Sequence, residues 1–378
     1  MKILFYLRIV VMGGAERYLL QLLPELKKRN IEVGFFCTLQ DDNQEIIDYF
    51  TNHFDQYSIP LVVCKSSSPV SLKTAKQLAK TIRDGQYSIL HAHLMHAEII
   101  SALSKMLFKI PVPLVVTKHG YLQSFMDVYG LDYTKINKWS LSYQVEKFVQ
   151  HFVTKNVAVS EGLADFYVLS GICKRQKIEV IYHGQSDNFC DGNCSPVRLS
   201  NNQLLIAGRL KKFKGHILLL SALKYLINDI PDLKLIILGD GEEKKNLVKF
   251  VNNNVLNSWV VFAGYSNEVC SYFKGTDIVV APSLAEPFGL IVLEAYSCSK
   301  PIVTFDVTAF NENVINNETG YLITPYNIEE LAQKIKHLLQ HKNIAKQLGE
   351  NGHELMKTKF SLTTSVEKTI EFYQNISD

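Results

Sequence analysis

The sequence lacks the features that mark several special classes of protein. It has no run of about 18 apolar residues, so its hydropathy pattern predicts no transmembrane helix. It has no internal repeat and no low-complexity tract, which argues against solenoid and fibrous architectures. Its formal net charge is only +3, so the charge of the whole molecule does not argue for a polyanion as a partner, and we expect no nucleic acid.

Cysteine is scarce and scattered. Seven cysteines without dense spacing do not resemble a disulfide framework, and we expect a reducing, cytoplasmic environment. They are Cys37, Cys64, Cys173, Cys190, Cys194, Cys270 and Cys298. Cys190 and Cys194, with His183 upstream, have no second pair that would complete a zinc site, so we expect no structural metal.

The amino-terminal segment lacks the marks of a signal peptide. Arg8 interrupts its apolar run, and Gly13-Gly14 leads into a helical pattern without a small-residue cleavage site. The segment therefore predicts a first buried strand.

What the sequence does contain is a regular alternation of short apolar runs with amphipathic stretches. The strand-like runs lie at 2–7, 31–37, 59–64, 87–92, 112–117, 155–159, 178–182, 203–207, 233–238, 259–263, 277–281, 301–305 and 320–323. Helical patterns include 15–29, 71–83, 94–108, 135–151, 160–170, 216–227, 242–253, 267–274, 289–299, 328–341 and about 345–375 with a break near 360. This alternation predicts an α/β protein whose parallel sheets carry helices on both faces.

A stretch rich in Gly, Asn, Ser and Asp interrupts the alternation at about 184–201 and is typical of a linker. A chain of 378 residues also favours two domains over one core. We expect an amino-terminal domain at 1–185, a linker at 186–201 and a second domain at 202–360, with the helix at 361–378 returning to the first. One large continuous sheet is the alternative.

Glycine and charged residues gather after four strands of the second half. These segments are 208–215 (GRLKKFKG), 239–242 (GDGE), 264–265 (GY) and 283–289 (SLAEPFG). The carboxyl ends of parallel strands share one edge of a sheet, where open α/β sheets bind ligands. We therefore expect these loops to converge.

The loop at 208–215 places four basic residues directly before a helix, and a helix N-terminus favours phosphate. Arg209 can grip phosphate oxygens with its planar fork, and Lys214 supplies a point charge. Lys211 and Lys212 are interpreted as solvated surface charges. The loop predicts a phosphate site.

Glu286 and Glu294 lie about 12 Å apart if the interval is helical. The acid and nucleophile of retaining glycosidases lie only about 5–5.5 Å apart, so this pair better suits hydroxyl groups on two parts of one extended ligand. The backbone N–H groups of Phe288, Gly289 and Leu290 lie between them. The alternative is a helix-capping Glu286 with a partly exposed Glu294.

Several segments together resemble the motifs of the retaining glycosyltransferases of family four, which have the GT-B fold. They are the E-x7-E signature at 286–294, the donor-phosphate loop at 208–215, the glycine turn at 13–17 (GGAER), and the segments closing the first domain at 157–161 (VAVSE) and 180–184 (VIYHG). The resemblance runs from about 2 to 339 in the family's order and spacing. It implies two doubly wound Rossmann-like domains facing across a cleft.

The resemblance also implies roles for individual residues. Arg209 and Lys214 bind the donor diphosphate and stabilise the charge of the leaving group. Glu286, with the backbone of Phe288, Gly289 and Leu290, holds the transferred sugar. The remaining donor contacts come from Glu294 to the ribose, from the Tyr265 loop to the base, from Gly13 and Gly14 to the phosphate, and from His119 to the sugar.

Histidines near the expected site allow more than one interpretation. His119 follows a strand, where a histidine is more often structural, and only the resemblance favours a role at the donor sugar through its imidazole or backbone. His91 and His93 are interpreted as structural or acceptor-side. His183 stands where many relatives carry asparagine, which leaves the role of its loop open.

The implied activity is transfer of a sugar from a nucleotide-diphosphate sugar, such as a UDP-sugar, to a glycan or lipid-linked acceptor in surface polysaccharide or lipopolysaccharide synthesis. No Asp-x-Asp follows a strand, and Arg209 and Lys214 can supply the positive charge, so we expect no catalytic metal and no cofactor. A nucleotide-sugar epimerase, a glucan synthase and a non-catalytic sugar-nucleotide-binding protein are the alternatives. A Rossmann dehydrogenase is disfavoured because the first strand lacks G-x-G-x-x-G.

The stretches 97–118 and 135–155 combine aromatic and apolar residues with lysines. Helices of this kind can lie on anionic lipid, which suggests peripheral contact with the inner face of a membrane. A plain amphipathic helix packed on its own sheet is the alternative.

Overall fold

The computed structural model describes residues 1–10, 12–39, 44–66, 68, 70–122, 136–190 and 194–377. The chain divides into two compact units. The first unit contains most of residues 1–184 together with 362–378, and the second unit contains 185–361.

The first unit is built on a parallel sheet that has seven strands among the described residues. They are β1 (Lys2–Ile9), β2 (Glu32–Leu39), β3 (Leu61–Lys65), β4 (Ile89–His93), β5 (Leu114–Lys118), β6 (Lys155–Ala158) and β7 (Ile178–Val180), in the spatial order β3-β2-β1-β4-β5-β6-β7. Its helices are α1 (Gly14–Lys28), α2 (Gln44–Asp55), α3 (Leu72–Asp84), α4 (Leu94–Phe108), α5 (Leu141–Val149), α6 (Glu161–Leu169) and, at the end of the chain, α14 (Leu362–Ser377).

Helices cover both faces of this sheet. Consecutive side chains of a strand point to opposite faces. Accordingly, Phe5 of β1 packs in a buried cluster with residues of α1 and α14, whereas Tyr6 packs in a second cluster with residues of α3 and α4. Buried apolar side chains on both faces explain why the strands appear in the sequence as nearly continuous apolar runs.

The second unit repeats this plan around a sheet of six described strands. They are β8 (Asn202–Ala207), β9 (Leu233–Leu238), β10 (Val260–Gly264), β11 (Ile278–Ala281), β12 (Ile302–Phe305) and β13 (Gly320–Ile323), in the order β10-β9-β8-β11-β12-β13. Its helices are α7 (His216–Leu226), α8 (Lys244–Asn253), α9 (Val269–Gly275), α10 (Leu290–Ser297), α11 (Phe310–Asn313), α12 (Ile328–Gln340) and α13 (Lys342–Lys359). In both sheets the chain winds one way from the first strand and then the other. The predicted α/β fold with two doubly wound sheets is confirmed.

The helix predicted at 135–151 begins later than its sequence pattern. The Oγ of Ser140 accepts a hydrogen bond from the Tyr143 N–H at 3.3 Å and caps α5, which starts at Leu141. Lys135, at the start of the predicted helix, lies outside the described residues. None of the helices in the described part of the chain has the length and apolar character needed to cross a bilayer.

The last helix belongs to the first unit. The Tyr18 hydroxyl on α1 lies 2.7 Å from the Ser365 hydroxyl on α14, and Phe372 and Tyr373 are buried. Within the segment expected to be a linker, residues 194–201 pack on the second unit, where the Val197 N–H donates to the Ser271 carbonyl at 2.9 Å.

Four of the seven cysteines are paired, contrary to the expectation from their spacing. Cys190 joins Cys298 and Cys194 joins Cys270, across Cα separations of 5.8 and 6.5 Å. The partners lie 108 and 76 residues apart in the chain, so folding alone brings them together. Cys190 and Cys194 are therefore each joined to a distant cysteine, and neither is a zinc ligand.

Candidate active site

Three loops meet at the carboxyl edge of the second sheet. The Gly208 N–H, after β8, donates to the Leu238 carbonyl of β9 at 2.9 Å, and the Gly239 N–H, after β9, donates to the Gly264 carbonyl of β10 at 2.7 Å. A Cβ atom on Gly239 would lie 2.0 Å from the Gly208 carbonyl oxygen. The loops approach so closely that only glycine fits at this position.

The loop after β11 packs against the loop after β8. The Leu284 N–H donates to the Phe213 carbonyl at 2.7 Å. Gly215, just before α7, has a φ of +71°, and a Cβ there would lie 1.9 Å from the Pro282 carbonyl oxygen. Backbone contacts therefore place the basic segment 208–215 beside the acidic segment 283–289.

Within these two loops, two predicted site residues form an ion pair. The Nζ of Lys214 lies 2.6 Å from Oε2 of Glu286, and the Glu286 side chain is only 8% exposed. A carboxylate this deeply buried needs a charged partner, which Lys214 provides. Arg209 is exposed on the same loop. Lys211 instead pairs with exposed Glu242 at 3.2 Å, as a surface charge.

The turn between Glu286 and α10 is fixed by contacts with Phe310 and Asn313. Gly289 has a φ of +88°, and a Cβ there would lie 2.5 Å from the Phe310 ring. The Asn313 side-chain amide donates to the Phe288 carbonyl at 2.6 Å. The Phe288 side chain is buried, so this residue can offer a ligand only its backbone.

Two further residues of the predicted site lie outside this ion pair. Glu294 is half-buried on α10, whose first residue is Leu290. Tyr265, after β10, is exposed, and its hydroxyl donates to Asn267 Oδ1 at 2.9 Å.

His216 lies directly after the Lys214-Gly215 pair and was not identified from the sequence. It is buried at the start of α7. Burial, and then the neighbouring Lys214 charge, lower the pKa of His216 to about 4. A neutral imidazole therefore lies beside the basic loop at neutral pH. A single histidine at a helix start carries no pattern that would have predicted it.

In the first unit, the glycine turn begins α1. The Gly13 N–H donates to Oε2 of Glu16 at 3.0 Å, and a Cβ on Gly13 would lie 2.9 Å from that oxygen. Gly14 is the first residue of the helix. Glu16, in the first turn of the helix, thus accepts the backbone N–H of the N-cap residue Gly13 and fixes the turn, as in a capping box.

His119, itself half-buried, lies against buried histidines. Its Nε2 is 2.8 Å from Nδ1 of His93, and its Nδ1 is 3.3 Å from Nε2 of His183. His91 contacts the Thr117 hydroxyl at 2.7 Å and the Tyr373 hydroxyl. No local pattern in the sequence connects these histidines, because His119 and His183 are 64 positions apart.

The histidines of this cluster are neutral at neutral pH. Burial lowers the pKa of His91 and of His119 to about 3. Burial also lowers the pKa of His93 and of His183 well below the ordinary value of 6.5, and nearby histidines lower both further. Each ring therefore has one nitrogen that donates and one that accepts.

A buried ionic cluster immediately precedes His119. The Nζ of Lys118 lies 2.5 Å from Oε2 of Glu98 and also contacts Oε1 of Glu146. Burial, and then repulsion by Glu146, raise the pKa of Glu98 to about 8. With Glu98 protonated, one ammonium balances one carboxylate, and the cluster is neutral at neutral pH.

Two family models match the chain in succession. A model described as Glycosyltransferase Family 4 matches residues 12–187, and one described as Glycosyl transferases group 1 matches residues 195–355.

Similar proteins and a similar solved structure agree with these models. A Staphylococcus aureus capsular polysaccharide biosynthesis glycosyltransferase, CapM, is 26% identical over 246 residues, which span 61% of this chain and 64% of that relative. An Escherichia coli UDP-Gal:alpha-D-GlcNAc-diphosphoundecaprenol alpha-1,3-galactosyltransferase is 23% identical over 377 residues, which span 96% of this chain and 94% of that relative. The structure of Anabaena HepE in complex with UDP and glucose is 22% identical, covers 99% of both chains and superposes with a TM-score of 0.80.

The two models adjoin and together span both units, while the likeness to the solved structure extends over nearly the whole fold. The chain therefore belongs to the group 1, family 4 glycosyltransferases and has their GT-B fold, as its sequence motifs predicted.

Proposed function

We propose that this glycosyltransferase transfers a sugar from a UDP-sugar to a lipid-linked glycan during surface polysaccharide synthesis, with retention of anomeric configuration. The observation that carries the proposal is the Lys214–Glu286 ion pair, 2.6 Å long, at the carboxyl edge of the second sheet. It places a cation suited to a phosphate next to a carboxylate suited to sugar hydroxyls.

Lys214 and Arg209 are assigned to the donor diphosphate. An ammonium group has three donors, so Lys214 can keep its bond to Glu286 and still donate to a phosphate oxygen. Arg209 lies on the same loop and adds a second, forked donor. As the sugar leaves, negative charge grows on the diphosphate, and fixed cations stabilise that charge more than they stabilise the bound donor.

The other donor contacts follow from the loops around this pair. Glu286 accepts hydrogen bonds from hydroxyls of the transferred sugar, with Phe288, Gly289 and Leu290 offering backbone N–H groups. Glu294 holds the ribose, and the Tyr265 loop lies along the base. In the first unit, Gly13, Gly14 and His119 are assigned to the donor on the family resemblance.

The names of similar proteins support the choice of donor and acceptor. One relative is named for UDP-galactose and a diphosphoundecaprenol-linked acceptor, another for capsular polysaccharide, and HepE was solved with UDP and glucose. A panel of UDP-, GDP- and ADP-sugars is to be screened by thermal shift, because a ligand of the native state raises its Tm. We expect UDP-sugars to give the largest rise.

Product analysis then separates transfer from the related reactions. With a lipid-linked acceptor, we expect a new glycoside whose anomeric proton coupling matches that of the donor. Conversion of the donor sugar without any acceptor would indicate an epimerase, and inversion at the anomeric carbon would contradict retention.

Two variants test the donor site directly. Arg209→Ala and Glu294→Ala are expected to lose UDP-sugar binding while keeping the wild-type Tm without ligand. Lys212→Ala, an exposed lysine on the same loop as Arg209, is the matched control and should bind normally. Wild-type affinity in both site variants would overturn the assignment.

We also propose that the positive charge at the diphosphate comes from Arg209 and Lys214, with no metal required. Transfer rates measured in EDTA should then equal those measured in buffer. A loss of activity that Mg²⁺ or Mn²⁺ restores would show that a metal takes part.

Peripheral contact with the inner face of a membrane is proposed for α4 and α5, which contact each other in the first unit. Their exposed apolar side chains, together with the residue preceding the α5 cap, are Met106, Leu107, Trp139, Leu141 and Phe148, and exposed Lys109 and Lys138 are close to them in sequence. Trp139 is 90% exposed and Leu141 80% exposed, which leaves most of their apolar surface in water.

Vesicle sedimentation tests this contact. We expect binding to vesicles containing phosphatidylglycerol, weaker binding to pure phosphatidylcholine, and loss of binding in the Trp139→Ser, Leu141→Ser double variant. Val255→Ser, which changes an exposed apolar residue of the second unit, should have no effect. Equal partition with and without anionic lipid would contradict the proposal.

A further inference from the structure

Asn313 contacts the turn between Glu286 and α10, although 25 positions separate it from Phe288. Its side-chain amide donates to the Phe288 carbonyl at 2.6 Å, and the residue is fully buried. Gly289, the next residue of the turn, lies beside Glu286, because a Cβ on Gly289 would come within 3.3 Å of the Glu286 Cγ. Asn313 thus reaches the part of the turn that adjoins the Lys214–Glu286 ion pair.

This contact determines which way one peptide group of the turn faces. The carbonyl of Phe288 and the N–H of Gly289 belong to the same planar trans peptide, so they point in opposite directions. Because the carbonyl is directed at Asn313, the Gly289 N–H is directed away from Asn313. No described residue accepts a hydrogen bond from that N–H, which leaves it available to a ligand.

Gly289 by itself does not fix this orientation. Rotating the peptide would change the φ of Gly289, which is +88°, and glycine adopts φ values of either sign. Turns of types I and II differ by such a rotation of one peptide. The glycine alone would therefore not keep its N–H on one side of the turn, and the hydrogen bond from Asn313 does.

Asn313 is itself fixed by its neighbours. Its backbone N–H donates to the Ala309 carbonyl at 3.2 Å, and its carbonyl oxygen lies 3.3 Å from the hydroxyl of buried Tyr296 on α10. Turning the side-chain amide over would place Oδ1 against the Phe288 carbonyl, where two acceptors repel each other. The amide therefore keeps its donating side towards the turn.

The oxygen of the same amide is not satisfied. Oδ1 of Asn313 is buried and has no hydrogen-bond partner among the described residues. A buried acceptor without a partner costs free energy, and leucine, which is of similar size, would avoid this cost. Stability of the fold alone thus does not explain an asparagine at this position, whereas the need for a donor to the Phe288 carbonyl does.

We propose that Asn313 is a positioning residue, which holds the Phe288–Gly289 peptide with its N–H towards the donor sugar. The inference rests on the proposed function, because the orientation matters to transfer only if the Gly289 N–H donates to that sugar. Asn313 acts through this peptide and does not touch the donor.

NMR of this single peptide tests its orientation without any substrate. The dipeptide Phe-Gly occurs once in the sequence, at 288–289, so ¹³C-carbonyl phenylalanine combined with ¹⁵N-glycine selects one amide signal. We expect one sharp signal in the wild type and a broadened or doubled signal in Asn313→Leu. Asn311→Leu makes the same substitution at an exposed position of α11 and should keep one sharp signal.

Binding of UDP and of a UDP-sugar tests whether the orientation serves the donor. The probe is the UDP-sugar with the largest thermal shift, and adding it should move the wild-type Gly289 signal more than adding UDP does. Asn313→Leu should weaken UDP-sugar binding about 3- to 10-fold, the size expected for one lost neutral hydrogen bond, and leave UDP affinity unchanged. A purely structural role would weaken both ligands alike.

Three results would overturn the proposal. They are a doubled signal in the wild type, a single sharp signal with the wild-type response to the UDP-sugar in the Asn313 variants, and an equal loss of UDP and UDP-sugar affinity. Asn313→Ala also removes the amide and is smaller, so it replaces Asn313→Leu if that variant does not fold. If the wild type binds no nucleotide sugar, the proposed function fails, while the NMR result on the peptide stands.

Discussion

Two ionic groups of this chain, both shielded from water, differ in their balance of charge. In the second unit, Lys214 faces one carboxylate, that of Glu286, so one cation is matched by one acidic group. In the first unit, Lys118 faces two carboxylates, those of Glu98 and Glu146, so one of them keeps a proton. The first arrangement matches its charges one to one, and the second couples folding to pH.

The charge of Glu286 is predicted to matter more than its shape. Glu286→Gln keeps the size of the side chain but gives up the ion pair with Lys214, so we expect kcat/KM to fall about 10- to 100-fold. Glu242→Gln removes the exposed partner of Lys211 and should change kcat/KM less than about twofold. Equal kinetics for both variants would argue against a donor role for Glu286.

Glu98 is predicted to make the free energy of unfolding depend on pH. Its pKa is raised from 4.5 to about 8 in the folded protein, so its stabilisation is complete below pH 4.5 and is lost as the pH rises towards 8. The histidines His91 and His119 have lowered pKa values and act in the opposite direction, with a destabilisation that grows as the pH falls through 6.5 and is small only above about pH 7.5.

Urea unfolding of the wild type and of Glu98→Gln between pH 6.5 and 8 gives the contribution of Glu98 as the difference between their slopes. Glu98→Gln mimics the protonated acid, so the wild type should lose stability relative to this variant as the pH rises. Glu32→Gln, at an exposed carboxylate paired with Lys27, should keep the wild-type slope. If the free energy of unfolding of Glu98→Gln depends on pH as that of the wild type does, then the proton is bound by a group other than Glu98.

At the scale of elements, the loops at the carboxyl edge of the second sheet depend on close backbone contact. Gly239 has a φ of +134°, and a Cβ on it would meet the backbone of Gly208 at 2.0 Å. We expect Gly239→Ala to lower the free energy of unfolding by about 2–4 kcal/mol, from backbone strain and steric overlap together.

Thermal or urea unfolding measures this loss. Gly120→Ala is the matched control, since a Cβ on Gly120 would meet none of the described residues within 4 Å and its φ is not positive. It should keep near wild-type stability. A fully stable Gly239→Ala would mean that the two loops separate at little cost.

The elements themselves were largely predictable, because most strands are apolar runs, and those at the centre of each sheet are buried on both faces. The bounds predicted for β9 and β13 match those observed, whereas α5 starts at its serine cap and not where its amphipathic pattern begins. The predicted site loops also follow from the sequence, since glycine and charge after a strand mark a sheet edge. The contacts among His93, His119 and His183 and both disulfides were missed, because contacts between residues distant in the sequence leave no periodic signal.

At the scale of the molecule, the first unit is assembled from two distant segments. Residues Val366, Phe372 and Tyr373 of α14 are buried in the core formed with α1. We predict that a fragment of residues 1–184 will not unfold cooperatively, and that the same fragment joined by a short glycine-serine linker to 362–378 will. Residues 185–361 alone should fold, since the helices that cover their sheet belong to the same segment of the chain.

Circular dichroism during urea titration checks these fragments. An equally cooperative transition for 1–184 with and without 362–378 would show that α14 is dispensable to the first unit. The family models assign 12–187 and 195–355 to separate descriptions, which agrees with separable folding of the two parts.

The chain enters and leaves the second unit at neighbouring points. The Gln185 N–H donates to the Phe360 carbonyl at 2.9 Å, and Gln185 also pairs with Ser361 in a short parallel bridge. Residues 185–361 are thus one continuous segment whose two ends are adjacent. Because both junctions lie at one place, a unit of this kind can be inserted into another chain or removed from it with little change to the rest of the fold.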